Sequence, residues 1–447
     1  MSNSINPASS SRPISLERAA PYTALGPDNA PRAFLFLQGP PGPFFFQLGQ
    51  ALAAHGCAVH RINLNGGDAH DWHESVGGHP PVAYRGRQAT WGTFVDRLMR
   101  ARGITDLVLF GDCRPMHMVA HRLARLLGVR VHVFEEGYIR PNWLTLERDG
   151  VNGHSPLPRD AEGIRAAARG LSLPPELPPI GAKLGRRVRD TWGYFRHMVW
   201  GAAGLRYPFY KSHRPGSIVI EGFGWCRYQL TKGARARANA AALARVEGTR
   251  FFLFPLQLSS DSQIRIHSPF PNMRVAADYV IASFAAHAPA DAVLVVKDHP
   301  LDYGWFDWGR HVRRAARRLG IEDRLIHLPG GDLKTLADAS QGVVVVNSTS
   351  ATFALASGIP VAALGTAVYA IPGLVHDGPL DAFWAAPAPP DAALWEDFCR
   401  VLHHHCLVRG GLASESAMRI LIANALPRLL RAEALGADLR VVEQGKK

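Results

Sequence analysis

The feature that most limits what this chain can fold into is a rhythm. Short apolar runs alternate with helical segments, and a turn of glycine, proline or small polar residues follows each run. From residue 33, "RAFLFLQ" reads as a buried strand, "GPPGPFF" as a turn and "FQLGQALAAHG" as a helix that stops at Gly56. "CAVHRINLN" is the next strand, and "TDLVLFG", the helical "DCRPMHMVAHRLARLLG" and "VRVHVFEEG" repeat the pattern. The rhythm lapses over 151–215, which is rich in Pro, Arg and Gly and ends in "KSHRPG". It then resumes with "SIVIEGFG" as a strand, "ANAAALARVEG" as a helix and "RFFLFPLQ" as a strand. Four more strands come after these: "AVLVVKDHP", "RLIHLPG", "GVVVVNS" and "IPVAALG". Alternation at this spacing predicts parallel sheets covered by helices on both faces. At 447 residues the chain exceeds the usual size of a single core, so the expectation is α/β, two Rossmann-like domains facing across a cleft.

The expected division is a disordered leader over 1–32, a first Rossmann-like domain over 33–150 and a basic, aromatic insertion or linker over 151–215. A second Rossmann-like domain over 216–395 and C-terminal helices over 396–447 complete it. The N-terminal stretch is polar and Pro/Ser-rich, without the apolar centre of a secretory signal, which points to the cytoplasm. No stretch approaches the roughly 20 apolar residues needed to span a bilayer. Cys57, Cys113, Cys226, Cys399 and Cys406 are scattered with no CxxC pair, so a reducing compartment and no structural zinc site are expected.

The net charge of +13 calls for a partner. Nucleic acid is not expected, because no zinc-finger or RNP-type aromatic motif occurs. The charge is concentrated in "GAKLGRRVRDTWGYFRHMVWGAAGLRYPFYK" (181–211), where Trp192, Tyr194, Phe195, Trp200, Tyr207, Phe209 and Tyr210 interleave with the basic residues. That mixture suits the anionic inner leaflet of a membrane. It equally suits a solvated helix whose aromatics pack on a neighbouring domain.

In open parallel sheets, ligands bind beyond the C-terminal ends of strands, and the reactive residue types here fall at such ends. "NSTSATFALASG" places Ser348, Thr349 and Ser350 between a strand and a helix, where hydroxyls and backbone N–H groups can meet a phosphate or simply cap the helix. "VVKDHP" places Lys297, His299 and Pro300 at another exit, where an imidazole could donate to a phosphate oxygen or serve only as a turn residue. "FEEGYIRPNW" puts Glu135 and Glu136 at a strand end, one of them facing the cleft. Asp261 lies in "FPLQLSSDSQIRIHSPF" with Gln257, Gln263 and Arg265, a loop rich in sugar-binding groups. Two carboxylates in one cleft are the equipment of glycosyl transfer with retention. "FGDCRPMH" offers Asp112 as a helix cap and Arg114 or His117 for an acceptor's phosphate. No D-x-D sequence occurs, so neither metal nor cofactor is expected, and a donor with a single phosphate fits.

Together, "FLQGPPGPFFFQLGQALAAHGCAVHRINLNGGD", "GDCRPMH", "FEEGYIRPNWLTLE", "FPLQLSSDSQI", "KDHPLDYG" and "NSTSATFALASGIPVAALG" resemble the capsule polysaccharide biosynthesis/export family of Gram-negative bacteria, in its short, single-module form. The resemblance covers roughly residues 33–375. It implies a GT-B-like glycosyltransferase that transfers Kdo from CMP-Kdo with retention onto a (lyso)phosphatidylglycerol acceptor. The protein would be cytoplasmic and peripheral on the inner membrane, beside other capsule assembly and export proteins. The first domain would take the acceptor and the second the CMP-sugar. The resemblance further implies Asp261 as nucleophile, Glu136 or Glu135 as general acid/base, and His299, Pro300, Lys297, Ser348, Thr349 and Ser350 on the nucleotide. Gln257, Gln263, Arg265, Arg114, His117 and Arg140 would contact substrate. The alternatives are a non-catalytic export adaptor and a transferase that uses another nucleotide-activated donor.

Overall fold

The computed structural model describes residues 32–181, 184–203, 206–212, 218–258, 262–300, 302 and 306–431. Its first part runs β1 (Ala33–Phe36), α1 (Phe44–Ala54), β2 (Ala58–Asn63), α2 (Gly66–Asp71), β3 (Val82–Ala83), α3 (Trp91–Ala101), β4 (Asp106–Phe110), α4 (Pro115–Leu126), β5 (Arg130–Glu136) and β6 (Trp143–Arg148). The connecting stretch contains α5 (Ala161–Ala168), α6 (Leu184–Ala203) and α7 (Ile218–Val246). The second part runs β7 (Phe251–Pro255), α8 (Ser262–Ile266), α9 (Met273–His287), β8 (Val293–Lys297), α10 (Trp308–Leu319), β9 (Leu325–Leu328), α11 (Leu333–Asp338), β10 (Gly342–Val345), α12 (Ala351–Ala356) and β11 (Val361–Ala363). The chain closes with α13 (Leu380–Phe383), α14 (Ala392–Val401), β12 (Leu407–Arg409) and α15 (Glu415–Leu430).

The second sheet has the order β11-β10-β7-β8-β9 and is wholly parallel. Numbered within its own domain, that order is 3-2-1-4-5. The first sheet, β12-β6-β5-β4-β1-β2-β3, contains the same 3-2-1-4-5 arrangement of parallel strands, extended at one edge by antiparallel β6 and β12. The expected pair of Rossmann-like α/β halves is therefore present. Each sheet packs apolar side chains on both faces, although β2, β4, β5 and β6 of the first also carry polar residues. In β1, Phe34 and Phe36 pack toward α1 and α15, while Ala33 and Leu35 pack with Trp91 and Val95 of α3. In β7, Phe251 and Leu253 face one cluster, Phe252 and Phe254 the other.

Three segments depart from the sequence expectation. Of "SIVIEGFG", the residues from Ile218 on are not a strand but the start of the 29-residue helix α7. A short apolar run does not distinguish helix from strand by periodicity, and the Ala/Arg-rich continuation from Ala234 supplies strong helix formers from which the helix extends back. The 151–215 stretch is also more than a connection, because α6 lies on α2. A Cβ on Gly66 would stand 2.0 Å from the His197 carbonyl oxygen, so only glycine permits the approach. Finally, the C-terminal segment is not helices alone. β12 pairs with β6 in the first sheet, and α15 packs on α1, so the chain ends on the domain where it began.

A charged network is enclosed in the first sheet. Asp106, at the start of β4, is fully buried and bonds to Arg32, Arg130, His132 and Thr105. Burial pushes its carboxyl pKa up, but hydrogen bonds from Arg130, His132 and Arg32 prevail and hold it far below the ordinary carboxylate range.

Candidate functional site

Strand order reverses direction between β7 and β10, which is where an open parallel sheet leaves a crevice for ligand. The first side chains past those strands meet there. The Gln257 amide donates to Asn347 Oδ1 at 3.2 Å, and the Asn347 backbone N–H donates to Gln257 Oε1 at 3.1 Å. Both residues are buried, so the pair satisfies groups that would otherwise be costly to enclose. Beyond it lie the half-buried Ser348, Thr349 and Ser350. Ser350 holds the cap position of α12 without a side-chain capping bond, and its hydroxyl instead donates to Ser348 Oγ at 2.7 Å. The capping role open to these residues in sequence is thus not the one adopted. Tyr369 OH donates to the Ser348 carbonyl and fixes the turn.

At the neighbouring exit of β8, Lys297 is buried and donates to the Asp298 carbonyl at 3.2 Å. The Asp298 carboxylate is engaged by His327 at 2.7 Å and Arg235 at 3.3 Å. His299 is half-buried and Pro300 exposed. Burial lowers the His299 pKa; Asp302 opposes this, while Lys297 and Arg140 reinforce it. Arg140 belongs to the loop after β5, so the acidic-Gly loop of the first domain lies within electrostatic reach of the His-Pro loop of the second. Arg140 itself is exposed and donates to the Gly137 carbonyl at 3.3 Å.

Glu135 and Glu136 end β5 and are both half-buried. Glu135 reaches over the turn after β4, where a Cβ on Gly111 would stand 3.2 Å from its Oε2. Arg114 sits at the cap of α4 and donates to the Gln38 and Gly39 carbonyls at 3.2 and 3.4 Å. With Gln38, Tyr84, Phe209, Tyr210 and Lys211 it lines a cavity of about 220 Å³ at the C-terminal end of the first sheet. Tyr194 of α6 holds Gln38 from beneath, its hydroxyl bonded to Gln38 at 2.7 Å, Asn65 at 2.9 Å and Asp68 at 3.1 Å.

The structure corrects two of the sequence assignments. His117 is fully buried, its ring 2.7 Å from the Gly111 carbonyl, so it supports the turn and does not reach the cavity as a substrate ligand. Asp112 does not cap α4. Its carboxylate meets His154 Nδ1 at 3.0 Å, Cys113 Sγ at 3.1 Å and the Val151 N–H at 3.3 Å. Cys113 Sγ in turn lies 3.2 Å from Nε2 of His267, a residue of the second domain. Asp112, Cys113, His154 and His267 form the group among the described residues whose donor atoms could hold a metal.

Arg265 is exposed on α8. Asp261 and the side chain of Gln263 lie outside the described residues. Sequence reasoning missed Asn347, although it ends the apolar run "VVVV" directly before the serines, and a buried amide at that point was the available signal. It also missed His154 and His267, which no short-range spacing connects to Cys113.

On α6, Val188, Trp192 and Val199 fall on one helical face and are 61%, 69% and 45% exposed, with Arg189 and Arg196 exposed beside them. Tyr194 and Met198 face inward. Both sequence readings of this segment thus find residues that suit them. Among the described residues, no helix is long and apolar enough to cross a membrane.

Residues 105–412 match the family model described as "Capsule polysaccharide biosynthesis protein". The chain is 33% identical over 378 residues to Capsule polysaccharide modification protein LipB of Neisseria meningitidis (serogroup A, serotype 4A), covering 83% of this chain and 88% of that one. It is 32% identical over 372 residues to Capsule polysaccharide export protein KpsS of Escherichia coli, covering 82% and 93%. Among solved structures it is similar to Thermosulfurimonas dismutans KpsC, beta Kdo 2,7 transferase, with a TM-score of 0.43 and 16% identity over 88% of this chain and 99% of that one.

Proposed function

Because the chain belongs to the capsule polysaccharide biosynthesis protein family, we propose that it is a retaining glycosyltransferase that moves Kdo from CMP-Kdo onto a lysophosphatidylglycerol-type lipid, starting the lipid linker of a capsule. One observation supports the transferase reading. Two sheets of the same strand order meet near their C-terminal ends, where Cys113 lies 3.2 Å from His267 and the charge of Arg140 bears on His299, and each sheet has polar residues just past its strands. The choice of Kdo as sugar and of a lipid as acceptor rests on the resemblance of the motif set.

In this reading the second domain holds the donor. Lys297 supplies positive charge, His299 donates to the phosphate of CMP, and the Ser348–Ser350 turn adds hydroxyls and N–H groups, which together stabilise the leaving group. Asp261 attacks the anomeric carbon as the bond to the CMP oxygen breaks. The acceptor hydroxyl then loses its proton to Glu136 or Glu135 and displaces Asp261, so two inversions give retention. Arg114 and Lys211 line the first domain's cavity and suit the acceptor's phosphate. The outward face of α6 suits the anionic membrane surface where such an acceptor resides.

The test is a product assay by mass spectrometry with CMP-Kdo and a short-chain lysophosphatidylglycerol, using wild type and Asp261→Ala. The expected outcome is a lipid heavier by one Kdo with wild type alone. The printed name of the Escherichia coli relative, an export protein, favours a second reading as a non-catalytic adaptor. Folded wild type that neither releases CMP nor modifies the lipid would support that reading instead.

A further inference from the structure

Asp112 and Cys113 come from the first domain, His154 from the stretch that follows β6 and His267 from the second domain, and their donor atoms all lie within 4.8 Å of one another. The measured edges are 3.0 Å from Asp112 Oδ2 to His154 Nδ1, 3.1 Å from Asp112 Oδ1 to Cys113 Sγ, and 3.2 Å from Cys113 Sγ to His267 Nε2. A tetrahedron around zinc, with bonds of about 2.0–2.3 Å, has donor-to-donor edges of about 3.3–3.6 Å. Three contacts are thus slightly shorter than those edges and the other separations stay within 4.8 Å, so modest side-chain movement would bring the four donors around a zinc ion.

The surroundings are built to hold these donors. Three donors fix the His267 carbonyl: the Thr366 N–H at 2.8 Å, Thr366 Oγ1 at 3.0 Å and Asn347 Nδ2 at 3.2 Å. Position 153 must be glycine, since a Cβ there would stand 2.2 Å from His267 Nδ1. The Val151 N–H orients Asp112. Asp112 and His267 are buried, while His154 is half open to solvent and offers an entry path. The charges also balance: one thiolate and one carboxylate neutralise a divalent ion, and two neutral imidazoles complete four-coordination.

We propose that Asp112, Cys113, His154 and His267 form a zinc site that clasps the two domains together between the ends of their sheets. On binding, the Cys113 thiol releases its proton to solvent and its sulfur binds the metal. The ion fastens the His267 turn, and through Asn347 and Gln257 the switch point of the second sheet, to the β4–α4 turn of the first. This inference is independent of the glycosyl-transfer reading.

The experiment is a cobalt titration of the full chain after chelator treatment and dialysis. Co²⁺ in such a site gives visible d–d bands and a near-ultraviolet thiolate charge-transfer band. The expected result is about one equivalent bound with both features. Zinc should displace it and raise the melting temperature. Cys113→Ser should lose the charge-transfer band, and His267→Gln should bind Co²⁺ at least tenfold more weakly. Cys399→Ser should behave as wild type. His154→Gln, at the half-exposed position, tests the site by the same tenfold loss if the buried variants fail to fold. Absence of Co²⁺ uptake by folded wild type, or a thiolate band that survives in Cys113→Ser, would overturn the proposal.

Discussion

In the first domain the 3-2-1-4-5 sheet encloses charge at its N-terminal edge, in the Asp106 network, and covers its C-terminal end with Tyr194 and Tyr210. The second domain repeats the strand order with strands apolar at almost every position and leaves the Gln257–Asn347 pair at its C-terminal end. The first switch point is thus lidded by a helix from outside the sheet, whereas the second is finished by its own strand ends. Equal topology does not fix equal use. The residues just past each strand decide which ligand the crevice can take.

The largest expected effect comes from the buried Asp106 network of the first sheet. Asp106→Asn removes the anion and leaves Arg32 and Arg130 facing a neutral amide, with Arg32 fully buried. Breaking a buried ion pair in this way costs about 3–5 kcal/mol, which denaturant unfolding would measure. The depressed pKa sets the sign of the pH dependence. Asp106 contributes its full stabilisation above the unfolded-state value near pH 4 and loses it progressively as the pH falls below that. The difference between wild type and Asp106→Asn should therefore shrink below about pH 4. Hydrogen exchange should place the loss in β1, β4 and β5 and spare β7, β8 and β10.

Gln257→Ala reverses the experiment by striking the second domain. It leaves the buried Asn347 without its side-chain partner, at a cost of about 1–3 kcal/mol. Because Asn347 precedes Ser348, the proposed donor site should loosen as well. The expected outcome is a modest fall in melting temperature together with a clear loss of the thermal protection given by CMP. If CMP protected the variant as well as wild type, the nucleotide would not depend on this switch point.

How much of this was legible in the sequence depended on range. The strands β1, β4, β5, β7, β8 and β10 stood out because buried parallel strands are uninterrupted apolar runs. Ser348, His299 and Glu135 could be placed at strand ends from those runs alone. β12 was invisible, since three residues gain their strand character only by pairing with β6. Ile218–Ile220 misled because β-branched residues at the start of a run favour a strand until the helix formers behind them are weighed. Asp112 looked like a cap for want of its partners, since His154 and His267 reach it only through the fold. Asp261 lies outside the described residues.

The smallest effect tests the lid itself. Arg196 is exposed on α6, one turn from Trp192 and one residue from the inward-facing His197, so its charge can change without disturbing the packing of Tyr194. An arginine near an anionic surface contributes about 1 kcal/mol, roughly a fivefold change in partition between buffer and membrane. Arg196→Gln should weaken sedimentation with phosphatidylglycerol-containing vesicles by about that factor, while neutral phosphatidylcholine vesicles show no difference. Raising the salt should erase the effect, because screening reaches about 3 Å at 1 M. CMP protection should be unchanged, since the proposed donor site belongs to the other domain. A variant that bound anionic vesicles like wild type at low salt would leave α6 as a cover for the first switch point and nothing more, and the two domains would then differ in architecture without differing in the surface they face.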